Sequence, residues 1–390
     1  MMFEKAEYME RISKVKQVMA ERGIDVLFIS NPANMCYLIG HNAWSFYVHQ
    51  AVVVALDDEM PHFLGRYMDA FAGVVKTTYL DENHVHPWPD YYVQNPTCHP
   101  MDHMAETLKE LGYGNKTIGV EMDNYWFSAA AYEALKKGLP DAKFVNGDLI
   151  VNWVKIIKSD AEIEMIRRAG KIVDAAMQAG IDAFRPGARQ CDVAAAIVNA
   201  QIKGTPEFGG DYPAIMPLMP SGETAGAPHL TWNDSRYPDN MSMYIEIAGC
   251  HNRYHCPMSR TVCLGDPSPE IDKYAKVTIE GLQAALDTIK PGNTCEQVEA
   301  AWRNTVAKYG VEKESRIGYS TGLNYPPDWG EHTASLRPGD KTVLQPNMVF
   351  HCIPGMYYDD FGISISQCIR VTETGYERMS NFPFDLIVNK

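Results

Sequence analysis

Two side chains in one stretch, His229 and Glu246, are of the types from which acid–base and nucleophilic chemistry is made. His229 stands in Ala227-Pro228-His229, a turn-forming context beside a polar run that reads as a surface loop. A histidine there suits proton transfer near neutral pH, and suits a plain loop hydrogen bond equally well. Glu246 lies in the middle of 243–249, a short apolar, β-branched run. A carboxylate so placed is costly unless something pairs with it.

The element that must position Glu246 is a pair of strands. A second apolar run, 254–264, follows the polar break His251-Asn252-Arg253, and the two runs read as a β-hairpin. Alternation puts Glu246 on the face of Tyr244 and Ala248, with Ile245 and Ile247 on the other. It also sends His255 and Cys256 to opposite faces, so Cys250, His251, His255 and Cys256 do not read as one metal site.

Around the hairpin the chain alternates helix and strand. Residues 8–22 place Met9, Ile12, Val15, Val18 and Met19 on one helical stripe that Gly23 stops, and 24–29 follow as a buried strand. Residues 35–39 and 51–55 read as further strands, and 101–111 and 128–137 as helices. This pattern predicts a first α/β domain over 1–157. Ser159 followed by Glu162 is a capping-box pattern, opening a helix through Ile163, Ile166 and Ala169 at the head of a second domain, 158–390.

The formal net charge of −14, from 35 basic and 49 acidic residues, argues against nucleic acid or an anionic membrane as partner. No apolar run reaches membrane-spanning length, and the N-terminus is charged rather than signal-like. Nine scattered cysteines without a Cys-x-x-Cys pair predict reduced thiols. The expectation is a cytoplasmic enzyme with a small-molecule substrate.

Tyr254, Arg260 and Thr261 resemble the Tyr-x-x-Asp-x-x-Arg-Thr frame of the creatinase–prolidase family, and 155–164 resembles the Lys-Ser-x-x-Glu-Ile helix that opens its catalytic domain. The resemblance covers essentially the whole chain. It implies an α+β architecture, an N-terminal creatinase-like α/β domain followed by a C-terminal pita-bread catalytic domain. It also implies a homodimer in which the segment 44–50 meets the neighbour's site. In metal-dependent members five residues hold a metal pair; the matching positions here are Glu246, Pro257, Tyr319, Ile353 and Ser366. Only Glu246 keeps a ligand of the usual charge, so the resemblance implies no metal and no other cofactor. Creatinase works without metal through a histidine in an Ala-His-Asn segment, which His229 matches.

A narrower resemblance, carried by 44–50, 120–125, 210–215, 246–250, 253–257 and 325–331, is to the metal-free branch of that family that opens the cyclic amidine of ectoine. It implies hydrolysis of ectoine to N-acetyl-2,4-diaminobutyrate, or of 5-hydroxyectoine to the corresponding acetylated diaminobutyrate. Glu246 would be nucleophile or water-orienting carboxylate, and His229 the acid/base. An amidinium suits aromatic walls, for which Trp44, Phe46, Tyr47, Tyr212, Tyr319 and Trp329 are the candidates. Tyr254, His255, Glu331 and His351 complete the candidate substrate contacts, with Glu331 alternatively pairing with Arg337. The last strand region, 362–367, carries no acidic residue. Two other functions stay open: a creatinase-like amidinohydrolase for a linear guanidino acid, and a pita-bread domain kept as a binding module.

Overall fold

The computed structural model describes residues 1–389, arranged as two compact units that divide after Lys155. In the first unit α1 (Lys5–Glu21), β1 (Val26–Ile29), α2 (Pro32–Ile39), β2 (Ala51–Ala55), β3 (His62–Arg66) and β4 (Val85–Trp88) are followed by α3 (Pro100–Glu110), β5 (Thr117–Val120), α4 (Ala129–Gly138), β6 (Lys143–Asn146) and α5 (Ile150–Lys155). The strands form one mixed six-stranded sheet in the order β4-β3-β2-β1-β5-β6. Strand alternation divides its side chains between two cores. Leu27, Ile29, Val52 and Val54 pack with residues of α1, α2 and α5 on one face, and Val26, Phe28, Val53 and Ala55 with α3 and α4 on the other.

One expectation is overturned here. Residues 35–39 are helical, inside α2, rather than a strand. Asn31 caps the helix by accepting from the Ala33 amide at 2.9 Å, Pro32 occupies its first turn, and Gly40 ends it at φ +77°. All eight of its residues are buried, so no polar stripe betrays the helical period.

The second unit opens with α6 (Asp160–Ala183), α7 (Gln190–Lys203), β7 (Met241–His251), β8 (Tyr254–Leu264), α8 (Pro269–Thr288) and α9 (Cys295–Ala307). It then becomes strand-rich: β9 (Gly318–Thr321), β10 (Gly330–Leu336), β11 (Val349–Cys352), β12 (Met356–Tyr357), β13 (Gly362–Ile363), β14 (Gln367–Val371), β15 (Tyr376–Arg378) and β16 (Ile387–Asn389). Two main sheets result, β10-β9-β11-β14-β15 and β16-β8-β7. The capping box that opens α6 is formed: the Ser159 hydroxyl accepts from the Glu162 amide, and the Glu162 carboxylate accepts from the Ser159 amide at 2.9 Å. Helix α6 lies so close on β7 that a Cβ at Gly249 would stand 1.9 Å from the Ala169 carbonyl oxygen. No helix among the described residues is long and apolar enough to cross a membrane.

Candidate active site

Strands β7 and β8 pair antiparallel from end to end, joined through Asn252 and Arg253, both with positive φ, the two-residue turn that matches strand twist. The register sets Glu246 opposite Ser259 and Ala248 opposite Pro257. On the outer edge of β7, Leu218 and Glu246 exchange both backbone hydrogen bonds, at 3.0 and 2.9 Å. Ser221 bridges to Met243 and the Met219 amide bonds the Leu230 carbonyl, so the loop carrying His229 is tied alongside the strand carrying Glu246. His229 itself is exposed.

Glu246 is 7% exposed, and its carboxylate accepts no hydrogen bond among the described residues. Burial pushes its pKa up from about 4.5 to about 7. Three phenols surround it electrostatically: Tyr244 on its own strand, Tyr319 on β9 and Tyr357 on β12. Burial and the glutamate raise the pKa of all three, so they stay neutral. The Tyr244 hydroxyl is buried without a partner among the described residues, and its ring lies 5.8 Å from that of Tyr357. A bare carboxylate beside an orphaned hydroxyl, walled by aromatic rings, offers chemistry that a cation with N–H donors can satisfy.

Tyr319 is held from behind. The Trp329 indole donates to its hydroxyl at 2.7 Å, and that hydroxyl meets His351 Nδ1 at 3.0 Å. His351 Nε2 meets Ser366 Oγ at 2.7 Å, and Ser366 Oγ also accepts from the Ser259 amide at 2.7 Å. Burial lowers the His351 pKa to about 3, so the ring is neutral. Trp329 and Tyr319 pack against Ala248, two residues along β7 from Glu246 on the same face. The Arg316 guanidinium stacks 4.5 Å from the Tyr319 ring centre.

The other candidate residues are placed differently. Tyr254 is fully buried and donates to Glu162 Oε1 at 2.8 Å. His255 is also fully buried; its Nε2 accepts from the Ala214 amide at 2.9 Å, and Nδ1 faces the Gly322 carbonyl at 3.4 Å. Both are therefore strand residues that join neighbouring elements. Glu331 pairs with Lys158 Nζ at 2.7 Å rather than with Arg337, each side chain 1% exposed. Tyr212 carries the Arg253 guanidinium 4.0 Å above its ring. Trp44, Phe46 and Tyr47 lie in the first unit, where Trp44 and Phe46 are 4.8 Å apart and Tyr47 meets Arg66 at 2.5 Å. Sequence reasoning missed Tyr357, whose signal was its place just beyond Pro354-Gly355, a position the resemblance had already marked.

The donor set does not fit a pair of metal ions. Pro257 and Ile353 carry no donor atom, and the Tyr319 and Ser366 hydroxyls are neutral and already bonded as described. Among the described residues, no three His, Cys, Asp or Glu side chains gather as an ion would need.

Comparison with known proteins gives the family. Residues 11–157 match the Creatinase/Prolidase N-terminal domain, and 164–373 match Metallopeptidase family M24. An ectoine hydrolase of Halomonas elongata is 45% identical over 393 residues, covering 99% of this chain and 98% of that protein. A Xaa-Pro dipeptidase of Lactobacillus helveticus is 26% identical over 96% of this chain and 98% of its own. Among solved structures, a prolidase from Thermococcus sibiricus superposes with a TM-score of 0.84 at 21% identity, over 98% of this chain and 99% of that one. The chain belongs to family M24, in its creatinase/prolidase branch, a family of hydrolases of carbon–nitrogen bonds.

Proposed function

We propose that this hydrolase opens the cyclic amidine of ectoine to N-acetyl-2,4-diaminobutyrate, or that of 5-hydroxyectoine to the hydroxylated counterpart of that product, without a metal ion. The observation that carries the reading is Glu246, a buried carboxylate bare of hydrogen bonds and walled by Tyr244, Tyr319 and Tyr357. An amidinium supplies what that site lacks: delocalised positive charge for the carboxylate and the rings, and N–H groups to donate. The carbon between its two nitrogens is electrophilic. Glu246, with a pKa of about 7, removes a proton from the water that adds to it, or adds directly, in which case water then attacks the bound carbon and the Glu246–carbon bond breaks. His229, on the loop tied to β7, delivers a proton to the departing ring nitrogen. The 45% identity to an ectoine hydrolase along nearly the full length supports the substrate, and the donor set supports metal independence.

The nine free cysteines support a cytoplasmic location, and family membership supports a homodimer.

Proton NMR of EDTA-treated enzyme with ectoine tests the reading. A new acetyl signal, unchanged by added Mn²⁺, Co²⁺ or Zn²⁺, is the expected result. Turnover only with added metal would overturn the metal-free mechanism. Silence with ectoine, but urea and sarcosine formed from creatine, would move the substrate to a linear guanidino acid.

A further inference from the structure

The reading above needs the Glu246 carboxylate to keep its lone pairs, although neutral phenols surround it. Tyr319 is the phenol whose proton has a defined alternative. Trp329 can only donate, so the Tyr319 oxygen accepts at that bond, 2.7 Å long. The phenol proton must then go elsewhere, and His351 Nδ1 stands 3.0 Å away. A proton given to Nδ1 leaves the ring's own hydrogen on Nε2, which points at Ser366 Oγ at 2.7 Å. Ser366 is held in place by the Ser259 amide on its oxygen and by its own amide bond to the Ser259 carbonyl. Ser259 is the residue opposite Glu246 in the hairpin, so the relay is anchored to the strand pair that carries the carboxylate.

We infer that His351 is a positioning residue which, as its Nε2–H tautomer braced by Ser366, draws the Tyr319 phenol proton away from Glu246 and turns the phenol oxygen's remaining lone pair toward the substrate. The carboxylate is left free to attack, and the pocket presents two acceptors to an amidinium that brings only donors. This inference rests on the reading of Glu246 as the reacting carboxylate. The groups that face Tyr319 besides Glu246 are Arg316, a cation, and Asp328, whose carboxylate accepts from the Gly330 amide at 2.9 Å and meets His332 Nε2 at 2.7 Å; the phenol itself bonds only Trp329 and His351 among the described residues.

The test has a readout apart from turnover. Infrared difference spectra against Glu246→Gln isolate the Glu246 carboxylate stretch, whose frequency reports hydrogen bonding to it. In His351→Phe the phenol proton loses its acceptor and turns to Glu246. The carboxylate band should shift as it does on gaining a donor, and kcat should fall at least tenfold while KM changes less. In Tyr319→Phe/His351→Phe, with no phenol proton left, the band should return to its wild-type position. His351→Asn, which can keep an acceptor near the Nδ1 position, should restore most of kcat. If His351→Phe does not fold, Ser366→Ala removes the brace of the same tautomer and should shift the band in the same direction. A band that stays put in His351→Phe and in Ser366→Ala overturns the inference. So does a band that moves in Tyr319→Phe alone, since the phenol would then have been donating to Glu246 already. A shifted band in an enzyme inactive on ectoine would sink the substrate reading and leave the relay standing.

Discussion

Tyr254, the first residue of the second hairpin strand, donates its hydroxyl to Glu162 at 2.8 Å, and Glu162 is the residue whose carboxylate also caps the helix α6. One side chain thus fastens the hairpin to the start of the helix packed upon it. Tyr254→Phe leaves the Glu162 carboxylate one donor short in a dry setting and should cost about 1–3 kcal/mol of stability. kcat and KM should not change. A raised KM at unchanged Tm would return Tyr254 to the substrate contacts.

The Lys158–Glu331 pair makes a parallel case. With each side chain 1% exposed, removing one partner strands the other's charge in the interior. Glu331→Gln should therefore lower Tm steeply, by a loss of about 3–5 kcal/mol. Lys158→Met/Glu331→Leu should recover most of that, because no uncompensated charge remains. If Glu331→Gln instead raises KM and leaves Tm alone, Glu331 faces substrate after all.

What could be read in advance follows from how local the signal is. The hairpin was legible because its alternation and polar break lie within one short stretch, and the α6 cap because Ser159 and Glu162 are three positions apart. Helix α2 was not legible: with every residue buried, no face of it is polar. The partner of Glu331 is 173 positions away, and nothing in the composition around either residue names the other. The relay behind Tyr319 was hidden for the same reason. Residues 319 and 351 become neighbours only through the register of β9 on β11, and 366 only through the turn into β14. Each side chain could be singled out from the sequence, but not the hydrogen bonds that order them.

His229 differs from all of these in being exposed, so its chemical and structural effects separate cleanly. His229→Ala should leave Tm within about 1 °C, since surface substitutions away from packed features change stability little. Turnover should fall by about 10²–10⁴, the range a positioned general acid or base contributes. An active His229→Ala enzyme would remove the acid/base role and leave the loop histidine with none.

Glu246 is expected to trade stability for reactivity, and the sign can be worked out. Its carboxyl keeps a proton up to about pH 7 in the folded protein but loses it near 4.5 when unfolded. The stability that goes with the neutral form is therefore complete below about pH 4.5 and is lost as the pH rises through 7. Glu246→Gln, neutral at every pH, should melt like the wild type at pH 4.5. At pH 8 it should be more stable, by up to about 3 kcal/mol. The same ionisation should govern catalysis in the opposite direction: kcat/KM of the wild type rises with pH through about 7, as the carboxylate appears, and Glu246→Gln is inactive throughout. Melting curves at the two pH values and a kcat/KM profile check both halves. A variant no more stable at pH 8 would mean that a donor already compensates the buried charge. Near-normal turnover in Glu246→Gln would remove the carboxylate from the reaction.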